Sequence, residues 1–109
     1  MSTELEFLCI LPDFPGAQSK RMEVRPKHLE NALNLNAKNV VPFAGAMLAA
    51  HVESGQVPSF KGSVLVVRAS SEEECRSILQ QDVYVSAQVW DMDSAQIIPF
   101  KTALVPKQG

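Results

Sequence analysis

His28 follows Arg25 by three residues, a spacing that puts both side chains on one face of a helix. A neutral imidazole held by a carboxylate can move a proton near neutral pH. An arginine fork beside it can grip a carboxylate or enolate oxygen. Asp82 is the acidic residue that can hold the tautomer of His28, and Tyr84 stands two residues beyond it. In a strand Asp82 and Tyr84 would point the same way, and the phenol would either donate into a cavity or simply pack. Such a set suits proton abstraction next to a carbonyl, and hence elimination, isomerisation or tautomerisation. The residues alone leave a plainer reading open: a surface histidine, a capping aspartate, and Arg25 in a salt bridge with Glu23 or Asp82.

Other chemistries have less to stand on. Two histidines and two cysteines without ligand spacing argue against a metal site. Neither a phosphate-binding glycine loop nor a dinucleotide fingerprint is present, so no cofactor is expected. Cys9 and Cys75 fall in an expected strand and an expected helix, which favours reduced core thiols over a disulfide. Asp13 and Arg21 flank the loop after the first strand and read as a solvated loop or a lid. His51 has no acidic partner within reach and reads as a surface residue. Trp90 and Phe100 read as core or interface aromatics.

The elements that would position these groups follow from pattern. Glu4–Leu11 is a short apolar strand, stopped by the prolines and glycine of Pro12–Gly16. Arg25-Pro26 opens a helix of about three turns, with Leu29, Ala32, Leu33 and Leu35 on one side, fading near Asn36–Asn39. Phe43–Val52 reads as a strand because Pro42 and Gly45 oppose a continuous helix, although a second helix over Ala44–His51 is the alternative. Gly62–Ala69 is a clear strand. Ser70 or Ser71 caps a helix whose first turn holds Glu72, Glu73 and Glu74, with Cys75, Ile78 and Leu79 as its buried stripe and its end near Asp82. Tyr84–Trp90 alternates like a strand. Ile97–Val105 closes the chain as a strand that Pro99 makes an edge or a bulge.

The order β-α-β-β-α-β, with a divided last strand, is the ferredoxin-like α+β pattern: an antiparallel sheet with two helices on one face. The other face needs a cover, and a second copy of the chain is the natural one, giving a homodimer. At 109 residues a single domain spanning 1–109 is expected. The net charge of −2 and the scattered basic residues, with Glu23 and Glu30 diluting Lys20, Arg21, Arg25 and Lys27, argue against nucleic acid. The acidic opening and the lack of an apolar run near the ~20 residues that span a bilayer argue against a signal peptide and a membrane partner. A cytoplasmic protein is the expectation.

Lys20-Arg21-Met22-Glu23-Val24-Arg25-Pro26-Lys27-His28-Leu29 resembles the K-R-x-x-V-R-P-x-H-L segment of the YciI-like (YCII-related) family. Gly45-Ala46-Met47, Gly62-Ser63 with its apolar strand, Asp82-Val83-Tyr84-Val85 and Pro99-Phe100-Lys101 match further family segments in order. Val83 and Ala46 stand where the family usually has proline. The resemblance implies a dimeric ferredoxin-like α+β barrel, two sheets enclosing a cavity, with a His–Asp pair, here His28 and Asp82, as the active site. One line of the family eliminates chloride from a hydroxylated ring metabolite without a cofactor. The expectation is therefore a cofactor-independent lyase or isomerase acting on a small organic metabolite. Arg25 and Tyr84 would be its substrate-binding groups. The alternative is a non-catalytic binding or accessory protein using the same cavity.

Overall fold

A computed structural model of the chain describes residues 4–105, so the first three and last four residues of the expected domain lie outside it. The elements run β1 (Leu5–Pro12), α1 (Gln18–Ala37), β2 (Phe43–Leu48), β3 (Phe60–Ala69), α2 (Glu72–Gln80), α3 (Val83–Ser86) and β4 (Gln96–Phe100), with a 3-10 turn at Met92–Ser94. Alternation in the strands decides what faces what. In β1, Phe7, Cys9 and Leu11 are buried, while Glu6, Leu8 and Ile10 are only half covered. β3 keeps the same phase, with Ser63, Leu65, Val67 and Ala69 opposite the odd-numbered residues of β1.

All pairings are antiparallel and the order is β2-β3-β1-β4, the ferredoxin-like α+β arrangement. The helices pack on the odd-numbered side, where Cys75 and Leu79 of α2 join Tyr84, Val89 and Trp90 over β1 and β3. Cys9 and Cys75 meet there as free thiols, their sulfurs 3.5 Å apart. That contact and burial hold the Cys9 thiol far above its ordinary pKa. No helix covers the even-numbered side among the described residues, which leaves Phe43, Ile98 and Phe100 exposed. Gly62 lies opposite Pro12, and a Cβ there would sit 2.4 Å from the Leu11 carbonyl oxygen. Only glycine lets the two backbones approach so closely.

Ser71 caps α2 as expected, accepting from the Glu74 amide at 3.0 Å. Four boundaries differ from the expectation. The first helix starts at Gln18 rather than Arg25, and Pro26 lies inside it. Its N-terminus is tied down by Gln18, which donates to the Pro58 carbonyl and accepts from the Phe60 amide, and this tertiary clasp outweighs the hydrogen bond that Pro26 cannot make. β2 stops at Leu48, after a register shift at Met47, and leaves His51 in an exposed loop. Residues 84–90 form no strand: both edges of β1 are taken by β3 and β4, and Asp82 caps a short helix there instead. β4 ends at Phe100, short of Val105.

Candidate functional site

Arg21, Arg25, His28, Ala32 and Asn36 recur at helical spacing and line one cavity beneath α1. Its floor is the helix-facing side of β2 and β3: Ala44, Ala46, Ser63 and Leu65. Two alanines in β2 leave the space that larger side chains would fill. The cavity measures about 350 Å³, within the range that holds small organic ligands. It lies between α1 and the sheet, on the helix-covered side. The resemblance implied a cavity enclosed by two sheets; the cavity holding these groups is on the opposite face, because the odd-numbered phase of β3 points its polar residue toward α1.

His28 and Asp82 meet, although 54 positions separate them. His28 Nδ1 lies 2.9 Å from Asp82 Oδ2 and 3.0 Å from Oδ1. Asp82 also accepts from Asn31 Nδ2 at 3.1 Å and from the Tyr84 amide at 2.8 Å. A carboxylate offers only acceptors, so the Nδ1 position of His28 carries the hydrogen and Nε2 is the nitrogen left for chemistry. The aspartate side chain is 6% exposed and the histidine 15%, so the pair is shielded while the ring still lines the cavity.

Tyr84 stacks on His28 with ring centroids 3.9 Å apart and an interplanar angle of 10°, and Trp90 meets the same imidazole edge-on at 5.7 Å. The imidazole is thus clamped by two aromatics as well as by its carboxylate. Burial raises the Tyr84 pKa, against the pull of Arg21 and Arg25, so the phenol keeps its proton and points its hydroxyl at the Arg21 carbonyl, 3.5 Å away. Tyr84 reaches this place from the first turn of α3 and not from a strand, because Asp82 is the cap of that helix. One aspartate therefore fixes both the imidazole and the ring that stacks on it.

Asp13 and Arg21 are not the solvated loop residues that were one expectation. Arg21 Nη1 donates to both Asp13 oxygens at 2.8 Å, and Nη2 donates to Ser63 Oγ at 2.9 Å. Both side chains are buried, so rupture of this ion pair would leave an uncompensated charge inside. Trp90 Nε1 donates to the same Ser63 oxygen at 3.1 Å. Arg25 is exposed at the cavity wall and, among the described residues, makes no ion pair; Glu23 is taken by Lys20 and Asp82 by His28.

Asn31, Arg21 and Ser63 join these groups without having been among the candidates from the sequence. Asn31 is three residues after His28 and Arg21 is seven before it, so helical spacing alone marks both. Ser63 was visible only as part of the Gly-Ser segment. Among the described residues no three His, Cys, Asp or Glu side chains converge as metal ligands, and no helix is long and apolar enough to cross a membrane.

Several known proteins are similar. Fusaric acid biosynthesis protein 2 of Gibberella fujikuroi is 39% identical over 103 residues, covering 94% of this chain and 99% of that protein. Aspercryptin biosynthesis cluster protein B of Emericella nidulans is 38% identical over 98 residues, covering 89% of this chain and 63% of that protein. Aspartate kinase FUB3 of Fusarium oxysporum f. sp. lycopersici is 40% identical over 104 residues, but the chain spans only 19% of its length. Among solved structures, 5-chloro-2-hydroxyhydroquinone dehydrochlorinase (TftG) from Burkholderia phenoliruptrix AC1100, in complex with 2,5-dihydroxybenzoquinone, superposes with a TM-score of 0.75. It is 24% identical, with 89% of this chain and 94% of that one covered, a likeness that carries the fold. The YCII-related domain model matches residues 5–101, and the chain belongs to that family.

Proposed function

We propose that this protein is a cofactor-independent lyase or isomerase that moves a proton on a small organic metabolite. The observation that carries the reading is the buried His28–Asp82 contact of 2.9 Å at the wall of a cavity of about 350 Å³. Asp82 holds the Nδ1 hydrogen, so Nε2 acts as the base. It removes a proton from a carbon next to a carbonyl, and the electron pair of that C–H bond forms an enolate. Elimination follows if the pair then expels a leaving group, and isomerisation follows if His28 returns the proton to another atom. Arg25 grips the anionic oxygen or carboxylate at the mouth, and Tyr84 supplies the platform that stacks on the imidazole.

The dehydrochlorinase activity named for the similar solved structure and the biosynthetic names of the fungal relatives support a small-molecule role. The apolar even-numbered sheet face supports assembly as a homodimer, and two free buried thiols suit a cytoplasmic address. Exposed Leu29 and Leu33 beside the cavity favour a second reading, in which the ligand is held and released unchanged.

Incubation with chlorinated and enolisable ring compounds, beginning with 5-chloro-2-hydroxyhydroquinone, separates the two by mass spectrometry of the products. Conversion by the wild type that is lost in His28→Gln, with folding intact, is the expected result. Turnover that survives His28→Gln overturns the mechanism, and binding without conversion selects the second reading.

A further inference from the structure

We propose that Ser63 is an obligate hydrogen-bond donor that receives the anionic oxygen of the substrate, so that the cavity takes compounds with a carbonyl or enolate oxygen beside the carbon that loses its proton. This deepens the proton-transfer reading of the same cavity and rests on it.

A serine hydroxyl has one hydrogen to give and two lone pairs to fill. Ser63 Oγ fills both, with Arg21 Nη2 at 2.9 Å and Trp90 Nε1 at 3.1 Å. Neither nitrogen can accept in return. Among the described residues Ser63 Oγ donates no hydrogen bond, yet Ser63 lines the cavity and its residue is 4% exposed. The hydroxyl hydrogen is thus left for a molecule in the cavity that Ser63 lines. The same count rules out Ser63 as a nucleophile, because no base takes its proton and its lone pairs are occupied.

The donor is also set in place before any ligand arrives. Arg21, which also lines the cavity, is held at its other nitrogen by two 2.8 Å bonds to Asp13, so its guanidinium is not free to replace Ser63. A charged N–H on the oxygen polarises the O–H bond and strengthens its donation. Trp90 touches Ser63 through its indole N–H and His28 through its ring edge, 5.7 Å between centroids. One rigid side chain therefore fixes the donor relative to the base. A donor preset where negative charge develops is the arrangement that stabilises an enolate.

The test is binding of 2,5-dihydroxybenzoquinone, an acidic enol with carbonyl oxygens, followed by calorimetry at neutral pH. Wild type should bind, Ser63→Ala should weaken binding roughly 10- to 100-fold, the worth of one hydrogen bond to a charged group, and His28→Gln should weaken it less than Ser63→Ala does. Affinity within twofold of wild type in a folded Ser63→Ala protein overturns the role of Ser63 alone, because His28→Gln still reports on the site. No binding by the wild type overturns this proposal, while the proton-transfer reading is decided separately by the product assay on His28→Gln. Ser63→Ala leaves two buried N–H groups without a partner; where it does not fold, Ser63→Cys, of similar volume and a weaker donor, decides. A loss of about tenfold in that variant supports the donor, and unchanged affinity overturns it.

Discussion

Replacing Asp82 by Asn keeps the size of the side chain and changes only what it can donate and accept. In the native protein Oδ1 accepts from the Tyr84 amide at 2.8 Å, while Oδ2 takes Asn31 at 3.1 Å and His28 at 2.9 Å. The asparagine oxygen will stay on the Tyr84 amide, because that bond caps α3. Its NH2 group then takes the nearer place, 2.9 Å from His28 Nδ1 against 3.0 Å for the retained oxygen, and its hydrogen opposes the one on Nδ1. The imidazole should shift that hydrogen to Nε2, which leaves the cavity-facing nitrogen unable to act as a base. Three charge-assisted hydrogen bonds become neutral ones or are lost, so the folded state should lose about 2 kcal/mol. For a domain of this size that is a fall in Tm of roughly 8–16 °C. Long-range 1H–15N correlation spectra of the histidine rings read the tautomer directly, without a substrate. The expected result is Nδ1–H in the wild type and Nε2–H in Asp82→Asn. A variant that keeps the Nδ1–H form and melts with the wild type would refute the claim that Asp82 sets the tautomer.

Three further outcomes follow from other parts of the molecule. Gly62→Ala places a Cβ 2.4 Å from the Leu11 oxygen and 3.0 Å from Pro12 Cα; backbone on both sides cannot yield cheaply, so urea denaturation should show a loss of about 3 kcal/mol or more. Thr102 bonds the Glu6 carboxyl through its backbone amide and its hydroxyl and holds its pKa below the ordinary 4.5. A lowered folded pKa means stability that is present above 4.5 and lost as pH falls through the folded value. Melting curves of the wild type should therefore fall toward those of Glu6→Gln between about pH 5 and 3, and parallel curves would contradict the assignment. Ile98 lies opposite Leu8 on the uncovered sheet face, so Ile98→Glu should turn a homodimer into a monomer in size-exclusion chromatography with light scattering, while the His28 ring spectrum stays unchanged.

The parts of this fold that were legible in the sequence are those fixed by local physics. Short apolar runs marked β1 and β3, and Ser70 or Ser71 with three following glutamates marked the start of α2, because strand runs and helix capping depend on residues a few positions apart. The start of α1 was not legible. The clasp that extends it to Gln18 involves Pro58 and Phe60, about 40 positions away, and no local pattern announces it. The misread strand at 84–90 has the same cause, since whether an alternating segment pairs depends on which sheet edges remain free. In the site, helical spacing related Arg25 to His28, but it did not show that Arg21 would turn inward and pair with Asp13. Two charged residues bracketing a proline-rich turn look solvated until the turn is seen to fold them against β3.

The alternating phase of β3 carries a consequence for how such a protein can change. Ser63 and Leu65 belong to the cavity, and Val64 and Val66 to the opposite surface. If the cavity does the proposed chemistry and the opposite face meets a second copy, the two are written on interleaved letters of one strand, separated by the thickness of a backbone. On that reading a substitution at an odd position would retune the ligand while leaving self-association alone, and one at an even position would do the reverse. A lineage can therefore exchange its ligand, or attach the unit to a larger polypeptide and cover the even face in a new way, one step at a time. What such a strand cannot survive is an insertion or deletion of a single residue, which would exchange the two alphabets at once.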